Sequence, residues 1–198
     1  WMSGMYLLMG ISQEILLKGF TIYGILLMVE RFILTMEDVC MKLYHGSTVL
    51  VTTPEIRTGA FFLDFGVGFY TTTSYEQAER WAKIKMRREQ SAIGYVSVYD
   101  FDIDAASDQI TIQRFSAADM DWLQFVVQNR KGLPFEHAMD MHVGPVADDN
   151  VYQSIRFFET SVLNAEETVK RLKTEVLHDQ WTFHTPKALS YCRFIDYK

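Results

Sequence analysis

Three short segments carry side chains suited to holding a small ligand. Tyr44-His45-Gly46-Ser47 pairs an imidazole, able to bond a sugar hydroxyl, with a glycine that lets a ligand amide come close to the backbone. Taken alone, the pair also reads as an ordinary turn. Asp64-Phe-Gly-Val-Gly-Phe-Tyr70 has two glycines that admit a ligand, and Trp81 follows on the next element. Tyr70 and Trp81 can sandwich a flat ring, or simply pack in a core. Gln180-Trp-Thr-Phe-His184 alternates, which sets Gln180, Thr182 and His184 on one face and Trp181 and Phe183 on the other. Arg57 and Arg130 are able to meet a pyrophosphate or to sit in structural ion pairs. Asp148-Asp149 read better as a helix cap than as metal ligands, and no metal site is expected. Cys40 and Cys192 offer neither a metal-ligand spacing nor a disulfide framework, which makes a reducing setting the default.

The elements that must position these residues alternate from Met41 onward without long linkers or repeats. Met41-Lys-Leu-Tyr-His opens a first strand, with a second short β run at Thr48–Val51 after the His-Gly pair. Asp64–Thr73 reads as a turn entering a strand. Ser74 with Gln77 forms a capping box for a helix with Tyr75, Ala78, Trp81 and Ala82 on one face. Ile93–Tyr99 is β-branched and aromatic, a strand. Ser116 with Asp119 caps a helix bearing Met120, Leu123, Val126 and Val127, stopped by Gly132 and Pro134. A strand follows over His137–Val143, then a helix from Asp149 or Asn150 with Val151, Ile155 and Phe158. Asn164 with Glu167 caps a further helix with Val169, Leu172 and Val176. Gln180–His184 is a short strand, and Thr185-Pro186 begins a last helical turn with proline at its first position. The class is mixed α+β. No GxGxxG, P-loop, HExxH or GxSxG is present.

At 198 residues the chain has room for one ordinary domain and a short appendage. A 48% hydrophobic composition with four prolines excludes disordered and collagen-like classes. The net charge of −6 argues against a general nucleic-acid binder, which needs a basic face, but leaves a local basic patch open. Residues 1–40 differ from the rest. Gly19–Val29 is apolar, but Gln13, Glu14, Lys18 and Glu30-Arg31 interrupt it, so neither a membrane span nor a signal peptide is expected. Three readings stand for this segment: one or two amphipathic helices packed on the body or on a partner, a membrane-surface segment, or an upstream extension with Met41 as the start. The expected organisation is a helical extension over 1–40 and one domain over 41–198.

In combination the three segments resemble the ADP-ribosyltransferase superfamily, in its diphtheria-toxin and poly(ADP-ribose) polymerase branch with a His-Tyr-Glu signature on three strands. His45-Gly46 matches the first motif. Phe65-Gly-Val-Gly-Phe-Tyr70 is similar to the second, Phe-Gly-Lys-Gly-Ile-Tyr, and Trp81 falls at the place of its second aromatic. The resemblance is closer to a bacterial family of uncharacterised domains placed in that superfamily. They share Leu-Tyr-His-Gly-Ser, Asp-Phe-Gly-x-Gly-Phe-Tyr, an Asn-Arg like Asn129-Arg130, a Gly-Pro-Val-Ala-Asp-Asp like Gly144–Asp149, and a closing Asp-Gln-x-x-Phe-His-Thr. It spans roughly residues 41–196.

The resemblance implies a split α+β ADP-ribosyltransferase fold with NAD as substrate. His45 would contact a ribose hydroxyl and Gly46 the carboxamide, while Tyr70 and Trp81 flank nicotinamide. It also implies transfer of ADP-ribose to a macromolecular target by a toxin-like effector with an antitoxin-like partner, and the cysteine usage makes the cytoplasm the expected setting. The third motif departs from the family's: Gln180 stands where a glutamate steadies the oxocarbenium-like transition state. An amide bonds ribose but brings no charge, and loss of such a charge costs several kcal/mol. Glu175 is near in sequence but belongs to the preceding helix or turn. A catalytically degenerate module that holds NAD or ADP-ribose, or a partner-binding protein, is therefore the alternative.

Overall fold

Seven strands in the computed structural model, which describes residues 40–56, 63–132, 139–147, 149–173 and 177–198, form two sheets. The chain divides after Val39, and every described residue lies in the second unit, Cys40–Lys198. The expectations for residues 1–39, for Arg57, Pro134 and His137, and for Asp148, Glu175 and Val176 fall outside the described residues.

The first sheet is antiparallel, with β1 (Cys40–Ser47), β3 (Tyr95–Asp102) and β7 (Cys192–Tyr197) in the order β1-β3-β7. The second has the order β2-β6-β5-β4, from β2 (Phe69–Thr71), β4 (Ile112–Arg114), β5 (Met141–Pro145) and β6 (Asp179–Phe183). Only β4 and β5 run parallel in it. The sheets meet where Tyr44 and Thr72 exchange two backbone hydrogen bonds of 2.8 and 3.0 Å.

Register sorts the second sheet into two unlike faces, because residues paired across strands share a face. Phe69, Phe183, Met141 and Ile112 form one row, and Thr71, Trp181, Val143 and Arg114 the next. Apart from Thr71 and Arg114, these rows join Leu43, Tyr99 and Phe101 in a first core. The opposite face carries Tyr70, Thr182, His142 and Gln113 in a single row. On that side lies a second core of Phe65, Trp122, Leu123, Val151, Ile155 and Leu172. Its helices are α3 (Met120–Arg130), α4 (Asp149–Glu159) and α5 (Ala165–Leu172). The remaining described helices, α1 (Tyr75–Glu89), α2 (Ile103–Ser107) and α6 (Pro186–Leu189), complete a mixed α+β fold with two sheets and six helices among the described residues.

Helix starts follow side-chain capping, worth about 1 kcal/mol each. Ser74 Oγ accepts from Gln77 N at 3.2 Å, and Thr185 Oγ1 from Ala188 N ahead of Pro186. Asn164 and Glu167 complete a reciprocal box at 2.9 and 3.0 Å. The Ser74 cap is not reciprocal, since Gln77 Oε1 is buried without a partner. Asp119, not Ser116, caps α3, through Trp122 N at 3.0 Å. Thr48–Val51 lies outside the strands, and β5 begins at Met141, after Met139 and Asp140, which the expected strand included.

Candidate functional site

His45 sits near the end of β1 at the seam between the sheets. Its Nδ1 lies 2.6 Å from the Tyr70 carbonyl. A carbonyl only accepts, so Nδ1 carries the proton. The imidazole stacks on Phe69, with centroids 4.6 Å apart. Phe69 and Tyr70 project to opposite faces, so His45 belongs to the first-core face and the Tyr70 ring to the other.

Gly46 lies against α1. A Cβ built there would come 2.0 Å from Ala78 O and 2.8 Å from Ala82 N. The space on its Cα side is filled by helix backbone, and this glycine lets α1 reach the strand. The same contact explains Trp81. Ala78 and Ala82 are buried, whereas Trp81 is 40% exposed and lies under Arg88, whose Cζ is 5.5 Å from the ring centre. Trp81 is thus far less buried than the two alanines with which its spacing grouped it.

Tyr70 folds its own loop. Its hydroxyl donates to Gly66 O at 2.6 Å and accepts from Phe65 N at 3.1 Å. Gly66 has φ 77°, a conformation that side chains rarely adopt. Burial first, and then the Asp64 charge, push the phenol's pKa far above its usual value. Tyr70 therefore works as a neutral hydrogen-bonding group.

Gln180 lies opposite Gly144 on the Tyr70 face of β6 and is 6% exposed. Among the described residues its Nε2 has no hydrogen-bond partner. Trp181 and Phe183 point the other way into the first core. The expected alternation is thus present. It brings Gln180 and Tyr70 to one face while His45 lies on the other.

Three polar constructions here were not singled out as units by sequence reasoning. His142 Nδ1 is 2.8 Å from His184 Nε2, and His142 Nε2 is 3.1 Å from Gln113 Oε1. His184 Nδ1 donates to Val67 O at 2.7 Å and so holds the Phe65–Gly68 loop. The signal was the alternation that set His184 beside Thr182. Next, Asp179 accepts from Thr72 Oγ1, Thr73 N, Thr73 Oγ1 and Trp181 Nε1 at 2.7 to 3.0 Å, which ties the end of β2 to β6. Last, Arg130 Nε donates to Asp64 Oδ1 at 2.6 Å, and its guanidinium stands over Tyr152. Burial raises the Asp64 carboxyl above its ordinary pKa, although Arg130 and the Ala147 backbone pull the other way. The Asp-Phe-Gly and Asn-Arg motifs meet in this pair, so Arg130 serves the fold.

The segment holding these motifs matches a family model over residues 41–194, described as Protein of unknown function (DUF3990). The chain belongs to this family. No curated protein matches it. The matched DUF3990 segment opens in β1 and closes in β7, so it contains His45, Tyr70, Trp81 and Gln180. Among the described residues no group of three or more His, Cys, Asp or Glu is placed to hold a metal ion, and no helix is long and apolar enough to cross a membrane.

Proposed function

We propose that residues 41–198 form an ADP-ribosyltransferase-like domain that binds NAD at the seam between the sheets and transfers ADP-ribose to a macromolecular target. One observation carries this reading. The strands bearing the three motifs are neighbours in the order β1, β2, β6, and His45 meets the backbone of Tyr70 where the two sheets join. A divided sheet of this kind gives a ligand an edge on each side of the seam. His45 would bond a ribose hydroxyl there. Tyr70 contributes by shaping the Phe65–Gly68 loop, and Gln180 by an amide donor with unspent capacity. The proposal does not require Trp81 to face the ring.

A second reading is that the domain holds NAD or ADP-ribose without transfer. The uncharged, buried amide of Gln180 favours it, because no carboxylate stands where positive charge would develop.

Calorimetry with millimolar NAD on the wild type and on His45→Ala tests binding, with thermal melting to confirm that the variant folds. Heat with the wild type, weakened in the folded variant, is expected. No heat with the wild type would overturn both readings. Mass spectrometry of a lysate incubated with the protein and labelled NAD then separates them: label on a macromolecule supports transfer, and binding without label supports the second.

A further inference from the structure

The outer face of α1 stands apart from the chain's charge balance. The helix carries Arg80, Lys83, Lys85, Arg87 and Arg88 against Glu76, Glu79 and Glu89, a net charge of +2. The whole chain has net charge −6, which leaves −8 for the remainder. Ala78 and Ala82 fix which side of the helix meets the sheet, and Arg80, Lys83, Arg87 and Arg88 are all exposed on the far side. Lys83 is paired with Glu79 at 2.8 Å. Among the described residues neither Arg87 nor Arg88 is in an ion pair. The stripe from Arg80 to Arg88 is about 12 Å long. Exposed Trp81 lies along it, stacked by Arg88.

We propose that this face of α1 is a docking surface for single-stranded nucleic acid. Charge complementarity selects a polyanion. The exposed indole beside a guanidinium selects one with flat bases, since stacking on an aromatic plane is how single strands are held without sequence preference. The helix end also borders the candidate site: Thr48, just after β1, donates to Glu89 at 2.5 Å. A strand lying on α1 would run beside the end of β1 that bears His45. The docking surface stands without the NAD reading and is measured without NAD.

The test is fluorescence anisotropy of the full chain with a labelled oligothymidylate across a salt series. Two cations facing phosphates, Arg87 and Arg88, give a slope of about −1.4 in log affinity against log salt, so a fourfold rise in salt weakens binding about sevenfold. Arg87→Glu/Arg88→Glu should weaken low-salt binding at least tenfold and flatten the slope. Trp81→Ala should weaken it about fivefold or more and leave the slope unchanged. Lys170→Glu/Lys173→Glu places the same charge change on exposed Lys170 of α5 and on exposed Lys173, which caps its end, and should leave binding intact. Thermal melts confirm that each variant folds. No binding by the wild type, equal loss in the α5 variant, equal affinity for a duplex, or capture by phosphatidylserine vesicles but not by the oligonucleotide would each overturn the proposal.

Discussion

Replacing Gly46 with alanine should strip stability from the fold through one atom. The new Cβ would stand 2.0 Å from Ala78 O, where real contacts stay beyond 3.0 Å. The gap must therefore open by about 1 Å. The obstacle is helix backbone, which no rotamer change relieves, and a second backbone atom, Ala82 N, is 2.8 Å away. Lifting α1 would also loosen the packing of Ala78 and Ala82, both nearly fully buried. Overpacking typically costs about 1–3 kcal/mol, and a backbone clash falls at the upper end, about 3 kcal/mol. For a domain of this size that lowers the melting temperature by about 6–12 °C. Gly94→Ala is the control. Its Cβ meets Met86 Sδ at 2.7 Å, the far end of a flexible side chain, so the cost should stay under about 1 kcal/mol. Urea titration of the three proteins decides it. A Gly46→Ala midpoint indistinguishable from the wild type, at the same slope, would refute the account of α1 packing.

The same reasoning reaches other sites. Tyr70→Phe removes the hydroxyl shared by Phe65 N and Gly66 O and should cost about 1–3 kcal/mol; hydrogen exchange should accelerate at the Phe65 amide and not in β3. Arg130→Met leaves the Asp64 charge buried without its partner and should cost about 3–5 kcal/mol by chemical denaturation, more than Arg130→Met with Asp64→Asn. Because burial raises the folded-state pKa of Asp64, its contribution is full below the ordinary carboxylate value and falls as pH rises through the raised one; stability curves of Asp64→Asn should lack that fall. Asp140 has the opposite sign, since backbone bonding to Thr111 lowers its pKa. Its contribution is present above the ordinary value and lost as pH falls through the lowered one, which Asp140→Asn should abolish. Burial pushes the Cys192 thiol up to about 12, whereas Cys40 is exposed; a maleimide at neutral pH should modify Cys40 first, as peptide mapping will show.

What the sequence made legible follows from how local each signal is. Caps at Ser74, Asn164 and Thr185 are contacts over three residues, and they stand where the pattern placed them. The alternation of Gln180–Phe183 is equally local, because a half-buried strand sorts its own side chains. Strand β7 was not legible. It is an edge strand with mostly exposed residues, and its pairing comes from β3, nearly a hundred residues earlier. Strand β4, three residues long, takes its identity from a parallel partner that also follows later in the chain. The register that sets Tyr70, Thr182, His142 and Gln113 in one row is likewise a property of four strands together.

The candidate site shows the same division more sharply. Its residue types are legible, but their faces are not, because a face is defined by the layer that covers it. Alternation placed Gln180 with Thr182 and His184 without saying that helices lie on that side, or that His45 occupies the other. Gly46 carries the point furthest. A glycine after a histidine satisfies both a ligand approaching the strand and a helix doing so. The 2.0 Å distance to Ala78 O identifies the helix as the partner at its Cα side. A role for this residue toward NAD would then rest on its backbone, and stability and NAD affinity should respond separately to substitution at Gly46 and at His45.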